Sequence, residues 1–330
     1  MKKYILGLCL MTLLLSCSNS APDLIQVEGA NFVKPNGETI VFRGLNTSDP
    51  DKLEKDGMWT DVYFKEIADW GANIVRFPVH PSAWRERGPE QYLELLDAGI
   101  ELAKKYNLYV IIDWHSIGNL CENKFQDPMY DTTLQETMDF WQTIARRYNG
   151  ETAVAFYELY NEPTVTGDRF GECTWEQWKS VQEEIIAAIR QYDPKTICLV
   201  AGFNWAYDLT PVVENPVKAE NVAYVSHPYP QKREQPWEEK WQEDWGFVAD
   251  TYPVILTEIG FCLQDEEGAH IPVISTVEYG NAITAYTEKK GISWVAWVFD
   301  TSWSPMLIED RDFTPTTQGA FFKGYLQSKK

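Results

Sequence analysis

Ala153-Val154-Ala155-Phe156-Tyr157-Glu158-Leu159-Tyr160-Asn161-Glu162-Pro163 is a short, mostly apolar run that ends in polar residues. A run of this length, rich in aromatic and β-branched residues, reads as a strand covered on both faces. Further on, Trp175–Tyr192 carries a helical pattern, and Thr174 with Gln177 has the spacing of a capping box. The same strand–helix unit recurs along the chain. The strand candidates are Val41–Leu45, Asn73–Pro78, Tyr109–His115, Ala153–Asn161, Ile197–Ala201, Val222–His227, Val254–Glu258 and Ser293–Phe299. Helical patterns lie between them at Asp61–Trp70, Glu90–Tyr106, Leu134–Tyr148, Trp175–Tyr192, Gln235–Thr251 and Thr276–Lys290, and a last one at Thr317–Leu326. Pro89 stands where a first helical residue belongs, and Thr133 with Glu136 repeats the capping-box spacing. The segment around Ala206–Val213 is less clearly helical. Eight such alternations predict an α/β fold, a single-domain (β/α)8 TIM barrel; a doubly wound open sheet is the alternative. Ile25–Val33 and Thr39–Leu45 around Asn36-Gly37 read as a short N-terminal β-hairpin ahead of it.

The N-terminus reads as an address. Lys2 and Lys3 precede an apolar stretch, Tyr4–Leu15, that is too short to span a membrane. Leu14-Leu15-Ser16-Cys17 then resembles a bacterial lipobox. The expected organisation is a signal peptide at 1–16, a lipidated tether at 17–24 starting on Cys17, and a catalytic domain at 25–330. Acyl chains on Cys17 would anchor an exported protein to the cell envelope; plain secretion is the alternative.

Composition narrows the partners. The formal charge is −20, and loss of Lys2 and Lys3 would make it more negative still. Such a charge disfavours nucleic acid and anionic lipid, so membrane contact is expected only through the anchor. Four His, with no CxxC or HxxxH, give no expectation of a metal or other cofactor. Fourteen Trp are many for this length, and aromatic faces suit neutral, ring-shaped ligands such as sugars. Cys121 and Cys173 fall in neighbouring loops and could form a disulfide, whereas Cys198 and Cys262 read as small buried apolar residues.

A barrel of this kind carries its active site at the C-terminal ends of the strands. Arg76, Asp113-Trp114-His115, Asn161-Glu162-Pro163, His227-Pro228-Tyr229, Thr257-Glu258-Ile259-Gly260 and Trp297 stand at or near those ends. Two glutamates on one rim are the equipment for glycoside hydrolysis, one protonated to assist the leaving oxygen and one ionised to attack. Arg76 and Tyr229 would keep Glu258 ionised. Glu158, four residues before Glu162 on the same strand, should lie about 13 Å deeper and be a paired structural carboxylate. Asp113 is read in the same way.

The ordered set Arg43-Gly44-Leu45-Asn46, Ala72–Arg76, Asp113-Trp114-His115, Tyr157–Pro163, His227-Pro228-Tyr229, Thr257–Gly260 and Trp297 resembles glycoside hydrolase family 5, the cellulase family, from about residue 26 to residue 325. The resemblance implies Glu162 as acid/base and Glu258 as nucleophile. It implies Asn161 on the sugar 2-hydroxyl, Arg76 and Tyr229 orienting Glu258, and His115 and His227 positioning the sugar and the acid/base. Trp297 would be a sugar platform, and Trp205 resembles an aromatic that the family places after its fifth strand. The expectation is a monomeric, retaining, endo-acting enzyme on oligo- or polysaccharide, foremost β-1,4-glucan. β-Mannan, xyloglucan or exo-action on β-1,3-glucan would use the same machinery, as would transglycosylation. A non-catalytic surface glycan-binding barrel is the rival of another class. Loops Ser116–Thr132, Val165–Thr174, Pro230–Gln235 and Asp300–Thr314 are expected to wall a groove, with Trp84, Trp114, Trp237 and Trp303 as candidates for its outer positions.

Overall fold

The computed structural model describes residues 24–330; the expected leader, Cys17 and nearly all of the tether lie outside the described residues. Eight parallel strands close into a barrel. They are β1 Arg43–Asn46, β2 Ile74–Val79, β3 Tyr109–Trp114, β4 Val154–Glu158, β5 Ile197–Ala201, β6 Val222–Val225, β7 Val254–Ile259 and β8 Ser293–Ala296. Each pairs with its sequence neighbours, and β8 pairs with β1 to close the ring. The outer helices are α1 Asp61–Trp70, α2 Pro89–Lys105, α3 Leu134–Tyr148, α4 Trp175–Arg190, α5 Trp237–Asp244, α6 Val277–Lys290 and α7 Thr317–Gln327. Among the described residues no regular helix joins β5 to β6, and no helix is long and apolar enough to cross a membrane.

Strand alternation builds two layers of core. Ile74, Ile111, Leu199, Ile255 and Val295 meet inside the barrel, while Val75, Ile112, Val200, Leu256 and Trp294 pack outward with the helices. Threonines start the helices. Thr60, Thr133, Thr174, Thr276 and Thr316 each accept a backbone N–H of the first turn, and Thr174 with Gln177 forms the full reciprocal box. At Gly44 the β1–β2 contact is so close that a Cβ would stand 1.9 Å from the Ile74 carbonyl oxygen, so only glycine lets the ring close there.

The expected N-terminal hairpin is present, Asn31–Val33 pairing with Thr39–Ile40 around Asn36-Gly37, and a third antiparallel strand, Gln26–Glu28, extends it. Gly29, at φ +60°, makes the additional turn between Gln26–Glu28 and Asn31–Val33. This sheet closes the bottom of the barrel with Phe32, whose ring meets Phe42 and Phe156 edge-on. Strands β4, β6 and β8 end earlier than expected, at Glu158, Val225 and Ala296. The pattern over Gln235–Thr251 breaks at Trp245 into α5 and a 3-10 turn, Gly246–Asp250. Those early stops matter, because the residues beyond them leave strand geometry and turn across the mouth.

Candidate active site

Arg76 lies wholly buried inside the barrel on β2. Its Nε and Nη2 grip Glu158 at 2.6 and 3.1 Å, Nη1 donates to Asn46 Oδ1 at 2.9 Å and Glu258 Oε1 at 3.1 Å, and Nη2 donates to Asn161 Oδ1 at 2.7 Å. Asp113 Oδ2 stands 3.0 Å from Nη2. A guanidinium offers five N–H donors in a fixed plane, so this one group sets the positions of acceptors from β1, β3, β4 and β7. Burial would cost it its charge, but Asp113, Glu158 and Glu258 overcome that and raise its pKa.

The two glutamates meet over this hub. A carboxylate oxygen of Glu162, one of Glu258 and a ring nitrogen of His227 lie within 4.8 Å of one another. Glu258 Oε1 accepts from Arg76, and its Oε2 accepts from the Tyr229 hydroxyl at 2.8 Å. His227 Nδ1 contacts Glu162 Oε1 at 3.0 Å, and Nε2 contacts Thr257 Oγ1 at 2.9 Å; that hydroxyl donates to Glu158 Oε1 at 2.7 Å. A bulge in β7 between Leu256 and Ile259 lets adjacent Thr257 and Glu258 both serve this cluster.

Charge decides what the cluster can do. Burial, with Glu162 beside it, holds the Glu258 carboxyl above its ordinary value, and His227, Arg76 and the Tyr229 hydrogen bond limit that rise. Burial alone would push His227 down, but Glu258, Glu158 and Glu162 raise it to about 9. Burial also opposes ionisation of Glu158, yet Arg76 and His227 hold it below the ordinary carboxylate value. Asp113 is driven well above its ordinary value, by burial first. Two cations, Arg76 and imidazolium His227, thus stand beside the Glu158 and Glu258 carboxyl groups. Both Glu258 oxygens accept donors, from Arg76 and from Tyr229, that favour its ionised form. The His227–Glu162–Glu258 trio has metal-ligand atom types, but an imidazolium is a donor and not a ligand.

Around the pair runs a cleft of about 580 Å³, lined by Glu162, Glu258, His115, Asn161, Trp205, Tyr229 and Trp297, with Arg76 and His227 supporting it from below. Asn161 faces it with an amide nitrogen that has no protein partner. His115 Nδ1 contacts Asp113 Oδ2 at 2.6 Å, and burial drives this imidazole well below its ordinary pKa, so it stays neutral. Trp297 stacks on His115 at 5.3 Å and on Trp303 at 6.1 Å. Trp205 reaches the cleft from beyond β5 and donates to Gln126 Oε1 at 2.8 Å. The sulfurs of Cys121 and Cys173 are brought to 2.7 Å across the two loops that flank Gln126 and Phe170.

Several expectations need correction. Glu158 is ion-paired as expected, but it is not about 13 Å below Glu162. Both carboxylates approach the same imidazole, His227, because β4 stops at Glu158 and the chain turns inward. Trp84 and Trp114 are core residues about Phe140, Trp84 edge-on and Trp114 stacked. Trp114 follows inward-facing Asp113, so alternation points it out of the barrel. Trp237 packs on Trp241 in the helical layer, and only Trp303 of the four approaches the cleft. Sequence reasoning gave no role to Asn46, Thr257, Gln126, Tyr130 and Lys232. It also missed the loop after β7, which brings His270–Val273 to the cleft. That loop follows a strand end, and position alone would have flagged it.

Two outcomes follow from this network. Stability contributed by His227 is fully present below its ordinary pKa of 6.5 and lost as pH rises through about 9. The thermal midpoint should therefore fall over that window, by the equivalent of about 3 kcal/mol, and His227→Asn should flatten the dependence. Arg76→Lys keeps a charge but loses the fork, and should lower the unfolding free energy by about 3 kcal/mol in denaturant titration.

Comparison with known proteins places this geometry. The family model Cellulase (glycosyl hydrolase family 5) matches residues 33–302. The solved structure of beta-glucanase SdGluc5_26A from Saccharophagus degradans in complex with cellotetraose has a TM-score of 0.92 and 46% identity, over 94% of this chain and 95% of that one. Endoglucanase E-5 of Thermobifida fusca is 28% identical over 74% of this chain and 50% of its own length. Endoglucanase A of Butyrivibrio fibrisolvens is 27% identical over 62% of this chain and 45% of its own. The chain thus spans about half the length of those two endoglucanases. With the family model running from the N-terminal sheet to the loop after β8, the chain belongs to the cellulase family, glycosyl hydrolase family 5.

Proposed function

We propose that this protein is a retaining, endo-acting β-glucanase that cuts β-1,4-linked glucan by double displacement. The observation that carries the proposal is the approach of Glu162 and Glu258, whose oxygens lie within 4.8 Å. Retaining enzymes hold their two carboxyl groups about 5 Å apart, whereas inverting enzymes leave room for a water between them. In the first step a Glu258 oxygen attacks the anomeric carbon while the Glu162 proton passes to the departing glycosidic oxygen. The C–O bond to the leaving chain breaks and an ester to Glu258 forms. In the second step Glu162, now ionised, takes a proton from water, whose oxygen attacks the same carbon and releases Glu258.

The other residues act on these steps. Arg76 and Tyr229 keep Glu258 charged and aimed. His227 orients Glu162. The unpartnered Asn161 amide offers a donor to the sugar 2-oxygen, and Trp297 with neutral His115 gives an aromatic wall for the ring. The names of the relatives, endoglucanases and a beta-glucanase held with cellotetraose, favour β-1,4-glucan over mannan, xyloglucan or β-1,3-glucan. The complete carboxylate pair favours an enzyme over a glycan-binding barrel.

The purified protein should release reducing ends from β-1,4-glucan faster than from mannan, xylan or xyloglucan, with the β-anomer appearing first by proton NMR. Glu258→Ala should bind the oligosaccharide and leave it uncut. First release of the α-anomer, or cutting by Glu258→Ala, would refute the mechanism. The reading extends to the cell: export through residues 1–16 and lipid attachment at Cys17 would fix the enzyme at the envelope. Cells fed labelled palmitate should label the protein, and Cys17→Ala should abolish the label.

A further inference from the structure

We infer that Lys232 is a substrate-binding and positioning residue on the leaving-group side of the cleft, holding Trp205 against the sugar that departs. This rests on the glycosidase reading above. The side follows from the ring order. Glu162 follows β4, so the leaving chain lies toward the neighbouring β5 and β6, whose loops carry Trp205 and Lys232. Trp297, which follows β8, and its stacking partner Trp303 stand on the opposite wall.

The backbone beneath Trp205 is strained, although the Tyr207 and Asp208 N–H groups close the turn on the Phe203 carbonyl. Asn204, Trp205 and Ala206 have φ of 61, 53 and 55°, three consecutive non-glycine residues in the left-handed region. Side chains other than glycine are sterically strained there, and external ties support the turn. Three are present. The Lys232 ammonium donates to the Asn204 carbonyl at 2.8 Å, the His227 N–H donates to the Ala206 carbonyl at 2.9 Å, and the Trp205 indole donates to Gln126. Lys232 also stands 4.8 Å from the centre of the Trp205 ring, as a cation over an aromatic face. Its own backbone is fixed: Lys232 N–H donates to the Tyr229 carbonyl, and Gln231 N–H donates to the Pro272 carbonyl.

An ammonium has three donors. One is spent on Asn204 and the ring of Trp205 faces the cation, yet Lys232 still lines the cleft, where a hydroxyl of the departing sugar can accept from it. Burial pushes this amine down to about 8, against the pull of Glu162 and Glu258, as expected of a charge enclosed by the site rather than one in bulk water. One residue thus couples the aromatic, its strained turn and a hydrogen-bond donor.

The test compares two substrates of the purified protein. A β-1,4-linked glucose tetrasaccharide fills both sides of the cleavage point; a nitrophenyl β-cellobioside places no sugar on the leaving side. Lys232→Met should lower kcat/KM on the tetrasaccharide about tenfold, mostly through KM, and lower it on the aryl glycoside by a factor about threefold smaller. Lys232→Arg should recover part of the loss. Should Lys232→Met fail to fold, Lys232→Gln carries the same comparison. Equal losses on both substrates, or no loss on either, would overturn the assignment. A wild-type protein inert on both would refute the glycosidase reading itself, and this inference with it.

Discussion

One buried cation organises this barrel. Arg76 sits where water cannot reach, and a guanidinium there is tolerable only if its N–H groups are met by charge and by hydrogen-bond acceptors. The acceptors come from four strands: Asn46, Asp113, Glu158 with Asn161 just beyond it, and Glu258. Each is fixed in place by satisfying the same planar fork. Without that fork, Asp113, Glu158 and Glu258 would repel one another in a low-dielectric interior. With it, Glu158 is held ionised and Glu258 keeps a donor on each oxygen, while burial, against the pull of Arg76, drives Asp113 toward the neutral acid. The chemistry proposed for Glu162 and Glu258 follows from that arrangement.

The second tier is built on the first. His227 bridges downward through Thr257 to Glu158 and upward to Glu162, so the anion in the barrel floor feeds back on the carboxyl at the rim. Above it the cleft has unlike walls. One is the stack of His115, Trp297 and Trp303, pre-formed and rigid. The other is Trp205 on a left-handed turn that survives through ties to its neighbours.

Much of this was legible in the sequence, for reasons that can be named. Strand period and helix starts placed the eight strands and seven helices, because burial on both faces of a parallel strand leaves an unmistakable apolar run. The rim residues were legible because strands end in polar groups. What escaped was decided by departures from regularity. Glu158 was placed too deep because a ruler along an ideal strand cannot see that β4 ends there. Thr257 was quoted at its strand end without a role, because regular alternation puts one of two adjacent residues outward and only the β7 bulge lets both it and Glu258 serve the cluster. Lys232 and the loop at His270–Val273 act through loop conformation, which carries no period. Trp114 was misread for the opposite reason: period two, applied from Asp113, already points it outward.

The account stands or falls on which carboxylate bonds to the sugar. Incubation with a 2-deoxy-2-fluoro cellobioside bearing a dinitrophenyl leaving group should stall the reaction after the first displacement. Digestion and mass spectrometry should then find the fluorosugar on Glu258. A label on Glu162 or Glu158, or an enzyme that turns over normal substrate yet never traps the analogue, would contradict the roles that the buried guanidinium assigns.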